Sequence, residues 1–515
     1  MERYTLVQKN TYLDSLAALF SISVMMECRG IETAFVGMGT RANKQTLEEL
    51  GLKDEVADHA REDDLIFAAR AESQAAFEAA VKETQREDSG KETTDQPVYR
   101  TLEEAVRDNP RANICSISVP GEYAFGVTKQ ALELGLHCVV FSSHVPLEQE
   151  REMKQLAREK GLLCMGPDCG VANINGTAFV LSSINNRGPV GICGASGCGI
   201  QHIAAFLHQA GSGVSQTIGT GGSDLSEQVG GISMGMGIDA LEEDPETEYL
   251  VLISRKPSER VLERLLERIK TCKKPVVACF MGTERQVVEA SGAIWAEDLD
   301  DCAAKALALV GKKLELESEE ELRAMARCGA EKMAPEQRYV RGMFCGGTYC
   351  DEAMRTMEQD LGDIYSNCPL RPELELSNCQ GGGHTVIDYG EEEFTQGRPH
   401  PTLEPSMRLP AIQKAGEDPE IAVILLDFIL TPPANPDPAG VTVKAIRQAM
   451  DNARRRGGRL AVVASVLGTD ADVQNAAQQR ETLRQAGVFV CRTNKQASRL
   501  AAEIIRQKNQ EACHE

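Results

Sequence analysis

Short apolar runs separated by stretches of helical period recur along almost the whole chain. Apolar runs at 4–7, 33–36 and 65–69 predict strands, and the amphipathic stretches from Leu13 onward, around 43–50 and over 72–83 predict helices. Together they define a small N-terminal α/β domain over residues 1–85. The stretch 84–96 is polar and charged with no apolar anchor, which predicts a linker.

Beyond it the alternation becomes regular. Residues 97–186 read as helix 101–107, strand 113–118, helix 123–134, strand 137–141, helix 147–160 and strand 162–165. Residues 187–311 carry strands at 190–192, 214–218, 249–253 and 276–280. Residues 337–510 repeat that plan with strands at 340–344, 421–426, 460–464 and 488–490. Strands alternating with helices predict parallel sheets. The expected fold class is therefore α/β: several Rossmann- or flavodoxin-like parallel-sheet domains, two of them duplicates, behind the small N-terminal domain. A charged helical stretch at 312–336 links the duplicates. The segment 388–408 is long, polar and proline-containing, a length usually reserved for functional or disordered loops.

Composition narrows the function. With 515 residues there is room for three or four domains. Aromatics make up only 4% while glycine reaches 45 residues, which suits glycine-turned α/β domains better than sandwiches. A formal net charge of −22 argues against nucleic acid or an anionic membrane as partner. An anionic substrate then needs locally placed Arg, Lys or helix ends. No apolar run reaches the ~18 residues of a membrane span, and 13–26 carries Asp14 and serines, so no signal peptide is expected and the location is cytoplasmic. The 17 cysteines are an odd, scattered set, which predicts reduced thiols rather than a disulfide framework. Three pairs are spaced C-x4-C, but two of them straddle glycine turns, so no metal and no resident cofactor are expected.

Two turns look like copies of each other: Cys193-Gly194-Ala195-Ser196-Gly197-Cys198 and Cys345-Gly346-Gly347-Thr348-Tyr349-Cys350. Each follows a strand and opens a helix. Each is followed by a second cluster, Gly219-Thr220-Gly221-Gly222-Ser223-Asp224 and Gln380-Gly381-Gly382-Gly383-His384-Thr385. A strand, small-residue turn and helix gather unpaired N–H groups and the positive end of a helix dipole at one point, which binds phosphate or carboxylate. Two such ends from similar domains are expected to face each other across one anion. The plainer alternative is a pair of tight turns in a duplicated fold. In the segment 97–186, the turns Val119-Pro120-Gly121, Ser142-Ser143-His144 and Gly166-Pro167-Asp168-Cys169-Gly170 lie at carboxyl ends of strands, where parallel sheets bind ligands.

In this order, the turns resemble the succinyl-CoA synthetase superfamily. Gly166-Pro167-Asp168-Cys169-Gly170, Ser196-Gly197 and Gly219-Thr220-Gly221-Gly222 look like the α-subunit of that ligase. Val119-Pro120 and Ser142-Ser143 fall at its CoA-pocket turns, and Gly381-Gly382-Gly383-His384-Thr385 looks like a β-subunit glycine turn. The FdrA-like branch is the nearest match, through Asn10-Thr11-Tyr12-Leu13-Asp14-Ser15, Gly397-Arg398-Pro399-His400-Pro401 and Asn435-Pro436-Asp437-Pro438-Ala439-Gly440. That resemblance implies a subunit of an oxamate carbamoyltransferase in anaerobic purine and allantoin breakdown, working with other subunits. The departures matter too. The ligase phosphohistidine position is Ala290, the ligase glutamate is replaced within Ser254-Arg255-Lys256-Pro257, and no ATP-grasp domain precedes residue 338.

What such a chain retains is acyl transfer to phosphate. The expected phosphate ligands are Ser196, Gly197, Cys198, Gly382, Gly383, His384 and Thr385. Arg255 and Lys256 are expected to hold a carboxylate or the phosphate, and His400 to protonate a departing nitrogen. Asp168, Asp224 and Arg398 are candidate substrate contacts. Val119, Pro120, Ser142 and Ser143 mark a CoA-like pocket whose retention of CoA is in doubt. Cys198 invites a nucleophilic reading at a helix N-terminus, against small-residue packing. His384 invites a helix-cap reading. Substrates would be phosphate, oxamate and a carbamoyl donor, in a homo- or hetero-oligomer. A reduced acyl-CoA ligase and a non-catalytic scaffold that binds an acyl phosphate are the alternatives.

Overall fold

The computed structural model describes all residues except 12, 14–17, 19, 20, 23, 27, 89–98, 380, 381, 396–399 and 513–515. The chain divides into two compact units: Met1–Tyr99 with Gly390–Glu404, and Arg100–Tyr389 with Pro405–Glu515.

The first unit is built on a three-stranded antiparallel sheet of β1 (Glu2–Gln8), β2 (Ile31–Met38) and β3 (Leu65–Ala71), in the order β1-β3-β2. Alternate residues of the central β3 face opposite cores. Leu65, Phe67 and Ala69 pack with Phe77 and Val81 of the helix Gln74–Asp88. Ile66 and Ala68 pack with Leu47 of the helix Arg41–Glu49 and with Leu52 and Ala57. A period of two explains that division. Half of the helix expected over 13–26, and most of the linker 84–96, lie outside the described residues. The segment 388–408, read from sequence as one loop, is divided between the two units.

The second unit opens with a parallel sheet, β4 (Ile114–Ile117), β5 (His137–Val140) and β6 (Cys164–Met165), in sequential order. Next comes a seven-stranded sheet of β7 (Val171–Ile174), β8 (Thr177–Val180), β9 (Arg187–Gly194), β10 (Val214–Gly219), β11 (Tyr249–Arg255), β12 (Val276–Met281) and β13 (Ile294–Trp295). Its order is β13-β12-β11-β9-β10-β7-β8. The parallel part is the flavodoxin order, with the chain switching direction between β9 and β11. The β7–β8 hairpin on its edge, turned through Asn175 and Gly176, was not expected from sequence. The last sheet holds β14 (Tyr339–Phe344), β15 (Ile364–Tyr365), β16 (His384–Asp388), β17 (Ile421–Ile429), β18 (Ala461–Leu467) and β19 (Phe489–Cys491). It is parallel throughout, in the order β15-β16-β14-β17-β18-β19, and switches direction between β14 and β17.

One continuous core joins the last two sheets. It takes Ile192 and Ile253 from one, Val423 and Val463 from the other, and Ile203, Ala303, Met354 and Leu500 from the helices packed between them. The expected linker helix is Glu319–Ala330, opened by a Ser318/Glu321 capping box. It buries Leu322, Ala326 and Ala330 in the same core. The duplicated halves are thus one packed body.

Candidate functional site

The first tip forms where β9 meets the helix Gly197–Gln209. Ser196 is its N-cap, with extended backbone, and its Oγ accepts the Gly199 N–H at 2.9 Å. Just before it, the Ala195 N–H donates to Ile253 O of β11. The turn therefore sits beside the end of β11, at the switch point of the sheet, and Arg255 is the last residue of that strand.

The second tip forms where β14 meets the helix Gly347–Leu361. A buried carboxylate shapes it. Asp427 of β17 accepts the Cys345 N–H on Oδ1 at 2.8 Å and the Gly346 N–H on Oδ2 at 3.0 Å. Arg408 donates through Nη1 to Asp427 Oδ1 at 2.9 Å, to Asp427 O at 2.8 Å and to Met343 O at 2.9 Å. Both side chains are enclosed, Arg408 at 1% exposure and Asp427 at 0%. Burial pushes the Asp427 carboxyl up, while Arg408 and the two turn N–H groups pull it back.

The two tips meet. Ser196 Oγ and Thr348 Oγ1 lie 2.7 Å apart; they match in the sequence copies, but in the fold Ser196 corresponds to the other helix's N-cap, Gly346, and Thr348 lies two residues further in. Gly346 has no room for a side chain, since a Cβ there would lie 2.5 Å from Cys198 Sγ and 2.9 Å from Ile429 Cδ1. A Cβ on Gly347 would lie 2.6 Å from Asp388 Oδ2 and 3.1 Å from Arg255 Nη2. Arg255 thus reaches from the first half to the second tip. It is exposed, and among the described residues it takes part in no hydrogen bond or ion pair. The N–H groups of Gly197, Gly347, Thr348 and Tyr349 also donate to nothing described, as first-turn amides must unless something caps them. The Arg255 guanidinium, helix-end amides and two hydroxyls gather at one place, with the Asp388 carboxylate beside Gly347, and cations and helix-end amides of this kind suit an oxyanion.

Below the tips, a polar network crosses the same pair of helices. His202 Nδ1 and Tyr349 Oη are 2.8 Å apart, and His202 Nε2 lies 3.2 Å from Asp300 Oδ1. Asp300 Oδ2 accepts from Thr493 at 2.8 Å, and Asn494 Nδ2 donates to Tyr349 O at 3.0 Å and Glu352 Oε2 at 2.9 Å.

Other expected residues are elsewhere. Gly382 and Gly383 precede β16, and His384 and Thr385 begin it, so they stand at the amino edge of the sheet. The tips lie at the carboxyl edge, about 13 Å away along a four-step strand. The expectation that they share an anion with Ser196 is corrected. The β-branched run Thr385-Val386-Ile387 extends as a strand instead of opening a helix. His384 is accordingly no helix cap. Its Nδ1 accepts the Val340 N–H at 3.2 Å, and burial, with Arg341 nearby, lowers it to about 4. Asp224 is corrected too. It is fully buried, bonded to Lys154 Nζ at 2.9 Å and to the Ser233 and Met234 N–H groups, so it has no face for substrate. Burial, with Asp427 and Asp388 nearby, pushes the Cys198 thiol up, the opposite of an activated nucleophile.

Lys256 follows Arg255 on the same strand end and is exposed. Asp168 follows β6 and donates its N–H to Ser142 O, beside Gly222. Val119, Pro120, Ser142 and Ser143 do converge: a Cβ on Gly121, the first residue of the helix Gly121–Glu133, would run into Ser143 O. His400 belongs to the first unit, where its Nδ1 accepts the Thr402 N–H at 3.2 Å. Arg398 and Gly381 lie outside the described residues. Thr348, Arg408, Asp427, His202 and Tyr349 were not singled out from sequence. The turn duplication pointed to Thr348, and a lone aspartate inside the apolar run of β17 was the signal for Asp427.

Fold and site together define a CoA-ligase-type α/β scaffold with paired helix tips. A family model described as "CoA-ligase" matches residues 343–504. The chain belongs to the family of the Escherichia coli (strain K12) protein YahF, an uncharacterized protein to which it is 39% identical over 504 residues, 97% of this chain and 98% of that one. It is 29% identical over 205 residues to the mitochondrial succinate–CoA ligase [ADP-forming] subunit alpha-2 of Trichomonas vaginalis, covering 38% of this chain and 64% of that subunit. The ATP citrate lyase of Methanothrix soehngenii aligns over 81% of this chain and 86% of its own at 13% identity, with a TM-score of 0.36.

Residues 1–101 match a family model described as "AllF, heavy metal-associated domain". Soft metals select thiolate ligands. Cys28 is the one cysteine of that stretch, and its thiol donates to Val24 O. The donor set does not fit a soft metal, and no step below uses one.

Proposed function

We propose that this chain is an acyl-transferring subunit that uses phosphate at the paired tips, with carbamoyl as the group moved between phosphate and the nitrogen of oxamate. The observation that carries the phosphate part is Arg255, unpaired and exposed, reaching the Gly347 tip while ending the strand beside Ser196. The carbamoyl and oxamate parts rest on the FdrA-like resemblance.

In the proposed reaction a phosphate oxygen attacks the carbamoyl carbon. The C–O bond forms, the C–N bond to oxamate breaks, and the nitrogen takes up the proton that hydrogen phosphate gives up. Products are carbamoyl phosphate and oxamate. Arg255 and the amides of both tips offset charge on phosphate and on the tetrahedral oxygen, a type of contribution worth about 3–4 kcal/mol per donor. Lys256, next along, suits the oxamate carboxylate. The position that the resemblance equates with the ligase phosphohistidine is Ala290, so the acyl phosphate leaves without passing phosphate to the protein. Other subunits supply what this chain lacks, and the assembly works in the cytoplasm.

The test is phosphorus NMR of inorganic phosphate with N-carbamoyl-oxamate and the full-length chain co-purified with its partners. An acyl phosphate resonance that disappears in Arg255→Ala is expected. No phosphate-dependent turnover in the intact assembly overturns the proposal.

One observation favours a second reading, a retained CoA subsite. Ser142, 6% exposed, has a hydroxyl with no partner beside the helix Gly121–Glu133. Calorimetric titration with CoA decides it: absence of heat at millimolar ligand removes that reading.

A further inference from the structure

Two hydrogen bonds cross between the helices Gly197–Gln209 and Gly347–Leu361. Ser196–Thr348 joins the tips, and His202, six residues past Ser196, meets Tyr349, the residue after Thr348. Tyr349 directly follows Thr348, so whatever fixes its ring fixes the Thr348 amide and hydroxyl. His202 is fully buried and Tyr349 is 2% exposed. The ring of His202 packs against Phe206, with centroids 4.9 Å apart, and its edge meets the Tyr349 ring at 87° with centroids 5.9 Å apart. Its Nε2 lies 3.2 Å from Asp300 Oδ1 without forming a hydrogen bond to it. Among the described residues, the ring's one hydrogen bond is therefore the one between Nδ1 and the tyrosine hydroxyl. On the other side, Asn494 grips the Tyr349 carbonyl.

We infer that His202 and Tyr349 are positioning residues for the oxyanion site: the His202–Tyr349 hydrogen bond, with the ring packing around it, sets how far apart the two helix tips stand. Neither side chain touches the anion. They act through Thr348 and the amides around it, whose spacing must suit one phosphate. A misplacement of about 1 Å at such a site costs up to about a hundredfold in function. This inference rests on the phosphate reading above.

The experiment is calorimetric titration of inorganic phosphate into the full-length chain and four variants, with thermal melts of each. Tyr349→Phe removes one hydroxyl and keeps the ring. His202→Leu removes the imidazole end of the same hydrogen bond. His202→Gln keeps an acceptor and a donor in roughly the same places. Arg255→Ala is the control for the phosphate reading itself. Expected is a loss of phosphate affinity on the order of tenfold or more in Tyr349→Phe and His202→Leu, with recovery in His202→Gln. Tyr349→Phe should also stay folded, because it keeps the buried ring and loses one hydrogen bond, a small part of a domain's stability. Phosphate binding in Tyr349→Phe equal to the parent overturns the inference and leaves the phosphate reading standing, provided Arg255→Ala binds weakly. A parent chain that binds no phosphate overturns both.

Discussion

Ser196 caps the first helix and Thr348 is the second residue of the other, and their hydroxyl oxygens are 2.7 Å apart. The two six-residue turns match in sequence, but the helices start two residues apart within them, at Gly197 and Gly347. The two halves are packed tip to tip, so that first-turn amides of both lie together. Arg255, from the first half alone, breaks the symmetry and supplies the positive charge.

The crossing bond is measurable in isolation. Ser196→Ala also loses the cap on the Gly199 N–H and is expected to cost about 1–2 kcal/mol. Thr348→Val keeps the shape and loses only the hydroxyl. In a double-mutant cycle by urea denaturation, the two should couple by about 0.5–1.5 kcal/mol. Additive effects would mean that the contact contributes nothing.

Gly346 is where one tip rests on the other. Gly346→Ala places a methyl 2.5 Å from Cys198 Sγ, and overpacking of this kind costs about 1–3 kcal/mol. Phosphate affinity should fall with it. Combining it with Cys198→Ala should recover part of both losses, as read by melting temperature and calorimetry.

Asp427 and Arg408 form an enclosed pair that holds the second turn. Asp427→Ala strands a buried guanidinium and is expected to destabilise by about 3–5 kcal/mol. Asp427→Leu with Arg408→Met removes both charges and should cost less, while still losing the hydrogen bonds to Cys345 and Gly346. Equilibrium denaturation of the two variants checks the order.

The network under the tips makes stability depend on pH. Burial, and then Asp300, push the Glu352 carboxyl up to about 8. The native state keeps that proton where the unfolded chain, near the usual glutamate value of about 4.3, has released it. The contribution is fully present below the unfolded value and is lost as pH rises to about 8. Glu352→Gln should flatten the fall in unfolding free energy across that window. An unchanged slope would mean that another group sets it.

Much of this architecture is legible in the sequence, because strand–helix alternation reports parallel sheets directly and the duplicated cysteine-flanked turns mark the tips. The errors have physical causes. A glycine cluster before Thr385-Val386-Ile387 looks like the one before a helix, and only the β-branched run tells that a strand follows. Asp224 sits in a glycine-rich turn like a ligand residue, but its partner Lys154 is 70 residues earlier in the chain, and no local pattern links them. Asp427 acts on a turn 81 and 82 residues earlier in the chain, and His202 and Tyr349 act across the halves, so their roles exist only once the sheets are assembled.

The central claim is that one oxyanion binds between the tips. A crystal structure of the full-length chain soaked in phosphate tests it most directly. A phosphate contacted by the amides of Gly197 and of Gly347 or Thr348, with Arg255 turned onto it, is the expected result. Clear phosphate density anywhere else, with the tips closed on each other and Arg255 pointing to solvent, would contradict it.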